Sequence, residues 1–214
     1  MTFAEIEWST IAEVGTAVGT LVLAVATFLA TRSANRAARI AEESLLAGLR
    51  PALVPSRPED PDEEVVWGDE HAITLPGGAG WVEEADGNVY LALALRNVGA
   101  GLGVLRGYHL VPERPNASSP HAEQDDFRRQ QLDLYVPAGD AGYWQASLRN
   151  PDDPLRAALR QAVEANQIVA LELLYTDHRG SQPTITRFAL RPGDGPHRVP
   201  RVMRHWSSVP FDLG

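Results

Sequence analysis

Residues Val14 to Thr31 read VGTAVGTLVLAVATFLAT, an unbroken run without a charged side chain. As a helix this run is about 27 Å long, and adding Ile11, Ala12 and Glu13 brings it to about 31 Å, the hydrocarbon thickness of a bilayer. A helix with no polar face is a poor fit to the surface of a soluble domain. The expectation is a transmembrane helix over residues 11–31, with the lipid bilayer as its partner and residues 1–10 as a short extracytoplasmic N-terminus. Trp8 and Glu13 fall at the interface, where Trp is a suitable anchor.

A cleaved leader is the sharper rival, because Ala24-Val25-Ala26 has the form of a cleavage site and would leave Thr27 as the mature start. A leader's first segment is basic, however, and here it carries Glu5 and Glu7 and no Arg, so an uncleaved anchor is expected. Arg32, Arg36 and Arg39 follow the span, whereas only Glu5, Glu7 and Glu13 precede it. Cytoplasmic flanks carry the Arg excess, which predicts a single-pass protein of the cell membrane with its N-terminus outside and its C-terminal domain cytoplasmic.

The helix is expected to continue through residues 32–50, which are rich in Ala, Leu, Arg and Glu, and to end at Gly48 and Pro51. Ala34, Ala38, Ala41 and Leu45 make a narrow apolar stripe, spaced as in a short coiled coil or in an amphipathic helix lying on its own domain. Within the span, Gly15 and Gly19 form a small-xxx-small pair that would let a second copy approach as a homodimer.

Residues 51–64, PALVPSRPEDPDEE, hold four Pro residues and read as an extended linker. Ten carboxylates lie between Glu59 and Asp86, with Arg57 the only basic residue from 51 to 87, so this stretch alone carries the chain's net charge of -9. That balance makes a nucleic-acid partner a poor expectation. A solvated acidic segment is expected. Asp60-Pro61-Asp62-Glu63-Glu64 fails as a calcium loop because Val65 stands where the loop needs Gly.

Residues 65–214 turn to β patterning. Val89 to Leu95 alternates large and small side chains. Further strands are expected over Val104–Val111, around Leu132, Leu134 and Val136, and over Tyr143–Leu148, Ile168–Tyr175 and Pro183–Leu190. One helix intervenes, with Asp153 as N-cap and Pro154 at its first position, stopping near Asn166. The fold class is therefore mainly β: an N-terminal transmembrane helix, then an antiparallel β-sandwich with one short helix, an α+β sheet domain being the alternative.

Two segments, Leu95-Arg96-Asn97-Val98-Gly99-Ala100-Gly101 and Tyr175-Thr176-Asp177-His178-Arg179-Gly180, follow the acidic N-terminus, the span and the helix ending in Leu49-Arg50-Pro51. This order resembles a broad set of actinobacterial-type single-pass membrane proteins with a small immunoglobulin-like β-sandwich domain. The resemblance implies a fold. It implies no activity, and no catalytic residue is carried over from it.

The chain has no Cys, which excludes thiol catalysis and thiolate metal sites. Among the six His there is no H-E-x-x-H, and no G-x-S-x-G is present. Gly99 to Gly103 lacks the Lys of a phosphate loop and is expected to precede a strand, so a tight turn is expected there. Asp177 and His178 are expected in a solvated hairpin turn, contributing little to stability. Asn116-Ala117-Ser118 matches a glycosylation sequon, which has no use in a bacterial cytoplasm. Arg198, Arg201 and Arg204 are expected to be solvated, with Val202, Trp206 and Phe211 packed on the sandwich; three Arg fall short of a lipid-binding cluster. No catalytic, cofactor or metal site is expected. The functional expectation is a membrane-anchored, non-enzymatic binding or scaffold module with an unknown protein partner. The alternative is a membrane-tethered, hydrolase-like enzyme with loop-borne residues.

Overall fold

The computed structural model describes residues 3–112, 118–132 and 134–207. They form two compact units that divide after Ala47.

The first unit is helix α1, Phe3–Gly48, of 46 residues. It holds no Pro to interrupt the backbone ladder. The segment Thr10–Glu42 is apolar enough to cross a membrane and has none of its side chains buried. Phe28, Leu21 and Leu23 are each about two-thirds exposed. The hydroxyls of Thr16, Thr20, Thr27 and Thr31 each donate to the carbonyl one turn back, on Ala12, Thr16, Leu23 and Thr27, at 2.7–2.8 Å. These hydroxyls need no solvent partner.

The second unit begins at Gly48. Its strands are β1 (Leu53–Pro55), β2 (Glu63–Val66), β3 (Ala72–Leu75), β4 (Gly80–Ala85), β5 (Asn88–Asn97), β6 (Gly103–Val111), β7 (Arg128–Arg129), β8 (Tyr135–Val136), β9 (Ala141–Leu148), β10 (Val169–Thr176), β11 (Thr184–Pro192) and β12 (His197–Ser207). Helix α2, Pro154–Glu164, lies between β9 and β10. All strand pairs are antiparallel. One sheet runs β1-β5-β4-β12-β11-β10-β6-β7, with β9 on β5 and β8 on β6, and β2–β3 is a separate hairpin.

That sheet folds back on itself as a sandwich. One layer is centred on β5, the other on β10 and β11, and they join through the short β4–β12 ladder at His197↔Trp81 and Arg198↔Gly80. Leu91, Leu93 and Leu95 of β5 and Leu171, Leu173 and Tyr175 of β10 share the core with Trp144 and Phe188. The alternate residues of β5 (Tyr90, Ala92, Ala94) pack under the hairpin with Val65, Trp67 and Leu75. A strand that reads as large–small alternation is thus buried on both faces. Its small residues lie where a second layer must come close.

Helix α2 starts where Asp153 accepts a hydrogen bond from the Leu155 amide at 3.0 Å, an N-cap, with Pro154 following. It buries Leu159 and Ala162 into the core, with Leu155 and Val163 packed beside them.

The mainly β class is as the sequence indicates. Four features differ. Leu53–Pro55, within the expected linker, pair with Leu95–Asn97 of β5. Around Leu134 only Tyr135–Val136 is strand, and Leu132 is exposed. The C-terminal segment is β12, the longest strand, which pairs with β11 despite Pro200 and its exposed Arg side chains. The acidic stretch is only partly solvated. Asp60 pairs with Arg96, Asp69 accepts from Tyr90 Oη at 2.6 Å, Glu83 accepts from Trp81 Nε1 at 3.0 Å, and Glu84 lies 2.8 Å from Arg160.

Asn97 joins the entry of the chain to the sandwich. Its Oδ1 accepts from the amides of Ala52 and Gly99 at 3.1 and 3.0 Å. Its Nδ2 donates to the carbonyls of Gly101 and Val136 at 2.6 and 2.9 Å. A Cβ on Gly101 would stand 1.7 Å from the Leu49 carbonyl oxygen, so only glycine lets the two backbones meet there.

Two outcomes follow for stability. A fragment of residues 48–214 should be soluble and unfold cooperatively in urea, and Asn97→Ala should lower its stability by about 3 kcal/mol, since several buried backbone groups lose their partners. A fragment starting at Leu53 lacks the Ala52 amide and the Leu49 carbonyl, so its midpoint should fall below that of 48–214. Equal midpoints would show that the entry segment contributes nothing to the domain.

Candidate functional site

The sequence-flagged groups are mostly consumed by structure. Gly99 and Gly101 lie in the turn under the entering chain. Asp177 is 4% exposed, contrary to the expectation of a solvated side chain. Its carboxylate accepts from the Arg179 amide at 3.0 Å, the Ser181 amide at 2.8 Å and the Ser181 hydroxyl at 2.6 Å. It is the closing group of the β10–β11 turn, so its removal is costly, and its oxygens are directed to those donors.

In the C-terminal segment, Arg198 is buried, against expectation, and Val202 is exposed. Trp206 packs against Leu174 and Ile185, with the guanidinium groups of Arg187 and Arg204 at 4.9 and 5.2 Å from its ring. Phe211, Asn116 and Ala117 lie outside the described residues. Among the described residues no group of three or more His, Asp or Glu stands placed to hold a metal ion.

Two charged side chains that sequence reasoning passed over sit in the middle of the sheet. Glu172 of β10 and Arg187 of β11 are direct register partners and nearly fully buried. Arg187 Nε donates to Glu172 Oε1 at 2.7 Å and Nη2 contacts the same oxygen. Residues 118–122 lie across the pair. Ser119 receives a 3.0 Å hydrogen bond on Oγ from Arg187, and the Ala122 amide donates to Glu172 Oε2 at 2.9 Å. His109 Nδ1 stands 3.9 Å from that oxygen. The signal was legible: one Glu centred in VALELLYT and one Arg centred in TITRFALRP, two otherwise apolar strands. The pair is closed over and every strong donor is used. It locks the segment to the sheet.

An open concave surface lies along the outer edge of β9. One hollow of about 320 Å³ is lined by Trp67, Tyr108, Gln130, Gln145 and Arg149. A second of about 440 Å³ continues from it past Arg128, Arg129, Asn150 and Asp153, and the two share Tyr108, Gln131, Ser147 and Arg149. Gln130 bridges the seam, donating from Nε2 to the Gln145 carbonyl and accepting from Trp144 Nε1, each at 3.1 Å. Gln145 donates to the Val66 carbonyl at 3.3 Å, and its Oε1 is buried without a partner.

Electrostatics divide the cleft. Arg128 holds Asp153 in a bidentate pair at 2.5 and 2.9 Å, which keeps the Asp153 carboxyl below the usual carboxylate range against the opposing effect of burial. Arg149 pairs with Asp69 at 3.2 Å. Arg129 is exposed and in no ion pair among the described residues. Burial pushes the Tyr108 hydroxyl up, so it stays a neutral donor. Aromatic surface, amide groups and one uncommitted guanidinium suit recognition of a polar ligand.

No family model matches the chain, and neither does any curated protein or solved structure.

Two measurements test these assignments. Glu172→Leu or Arg187→Met alone should cost about 3–5 kcal/mol, because each strands a buried charge, whereas the double variant should recover most of that loss. A double variant no better than the singles would deny the pairing. For Asp153 the folded pKa is depressed, so its contribution is fully present above about pH 4 and is lost as pH falls through the lower folded value. Asp153→Asn should therefore flatten the acid limb of the stability curve, and Asp153→Ala should also cost about 1 kcal/mol of capping at neutral pH.

Proposed function

We propose that the chain is a single-pass membrane protein that presents its β-domain as a binding or scaffold module. The observation that carries the reading is α1. Over Thr10–Glu42 its apolar side chains are exposed, and the hydroxyls of Thr16, Thr20, Thr27 and Thr31 bond back to the helix. In water that surface is costly to expose; in lipid it is the required one. The self-bonded hydroxyls matter because hydrocarbon offers them no partner.

Orientation rests on Arg32, Arg36 and Arg39 against Glu5, Glu7 and Glu13, which favours a cytoplasmic β-domain. Gly15 and Gly19 leave open space where a side chain would stand, and they are the proposed contact with a second copy. The all-antiparallel sandwich fits the resemblance to actinobacterial-type proteins with an immunoglobulin-like domain. The β9-edge cleft is the proposed recognition surface. The hydrolase-like alternative loses its best loop candidate, since Asp177 is taken by its own turn.

Membranes washed in alkaline carbonate should retain the protein, and external protease on intact protoplasts should spare the β-domain. Release into the wash would overturn the anchor. Digestion from outside would reverse the orientation. A mature N-terminus at Thr27 would establish the cleaved leader.

A further inference from the structure

We infer that Arg32, Arg36 and Arg39 form a binding face for the phosphate-bearing headgroups of anionic phospholipids, a reading that rests on α1 spanning the bilayer. At 100° per residue the three side chains leave the helix within an arc of about 60°. Phe28, Thr31, Arg32, Asn35, Arg36, Arg39 and Ile40 line one shallow hollow on the helix surface, with the aromatic ring at its apolar end. The opposite side of the same turns carries Ala34, Ala37, Ala38 and Ala41. The helix is therefore two-faced here, with a guanidinium side and a smooth Ala side.

Three Arg are too few to recruit a free segment to a membrane, but here the span itself holds them near the headgroups. The uncharged run ends at Thr31. Arg32 stands at the hydrocarbon boundary, Arg36 about 6 Å beyond it and Arg39 about 10 Å beyond. The polar layer of one leaflet is about 5–7 Å deep, within reach of long side chains that extend along the helix. All three Arg are exposed, and none is in an ion pair among the described residues, Glu42 included. A guanidinium offers a planar fork that matches two phosphate oxygens, and Asn35 adds an amide donor beside the charges. Phosphatidylcholine also has a phosphate, but its choline cancels the charge. The face therefore selects lipids with a net negative headgroup.

The test uses the full chain in nanodiscs of phosphatidylcholine alone and of phosphatidylcholine mixed with phosphatidylglycerol, with lipids that remain bound after mild detergent counted by native mass spectrometry. Phosphatidylglycerol should be enriched over its bulk fraction well above the about fivefold preference of a single surface guanidinium, and the enrichment should fall with salt. Arg32→Gln with Arg36→Gln and Arg39→Gln keeps helix propensity and should abolish the enrichment while insertion persists. Arg36→Ala with Ala34→Arg keeps the charge and splits the face, and it should bring the enrichment down toward the level of a single guanidinium. Failure to insert into neutral discs would overturn the spanning reading and this inference together. Insertion without enrichment, enrichment that survives the triple change, or full enrichment in the charge-swapped variant would overturn this inference alone.

Discussion

Asn97 uses its whole amide, two acceptances and two donations, to hold together pieces of chain distant in sequence: the entry at Ala52, its own turn at Gly99 and Gly101, and β8 at Val136. Its backbone adds two more bonds, donating to Asp140 and accepting from Gly139, both at 2.9–3.0 Å. A side chain wholly removed from water can be polar only if it is fully partnered. Here that condition also fixes the geometry. The β5–β6 turn, the β8–β9 turn and the incoming backbone must arrive together or leave several buried groups unpaired. Gly99 and Gly101 follow from the same demand, since the entering backbone occupies the space of their missing side chains.

The same logic shapes the outer faces of both layers. A sandwich strand ordinarily turns one face to water. Here β5 is covered by the β2–β3 hairpin, and β10 by residues 118–122, Phe127 and the Trp206 ring. The two covers use different chemistry. The hairpin is held mainly by apolar contact with Trp67 and Leu75, reinforced by the Trp67 indole donating to the Ala146 carbonyl at 3.1 Å. The second cover is held by a buried charge pair whose remaining donors and acceptors reach the segment's backbone. Such a pair adds little net stability, yet breaking it is costly because one buried charge is left without its partner.

The sequence is most legible where one rule governs several residues in a row. The apolar helix, the alternation through Val89–Leu95 and the Asp153-Pro154 helix start each obey a single periodicity or cap. The β12 strand escapes because it mixes Pro200 with exposed Arg and Val and pairs with β4 at only two positions, so no face alternates cleanly. Asp177 escapes because D-H-R-G reads as a solvated turn, while the burial comes from its neighbours in space. The β9-edge cleft escapes because Trp67, Tyr108, Gln130 and Gln145 come from four separate stretches. Glu172 and Arg187 were open to reading, since a lone charge in the middle of an apolar strand calls for a partner at a matching position on the next one.

The entry clamp has a mechanical side. Any tension carried along the chain from α1 reaches the domain first at Leu49–Ala52, the segment that lies under Gly99 and Gly101 and bonds to Asn97. Next in line is β1, held to β5 by a ladder of three residue pairs and to Tyr175 by a single bond from the Leu53 amide at 3.2 Å. Load therefore meets a set of short, individually weak links before it reaches the long β5–β9 and β10–β11 ladders. The amide of one asparagine acts as the mooring point between the incoming segment and the load-bearing sheet.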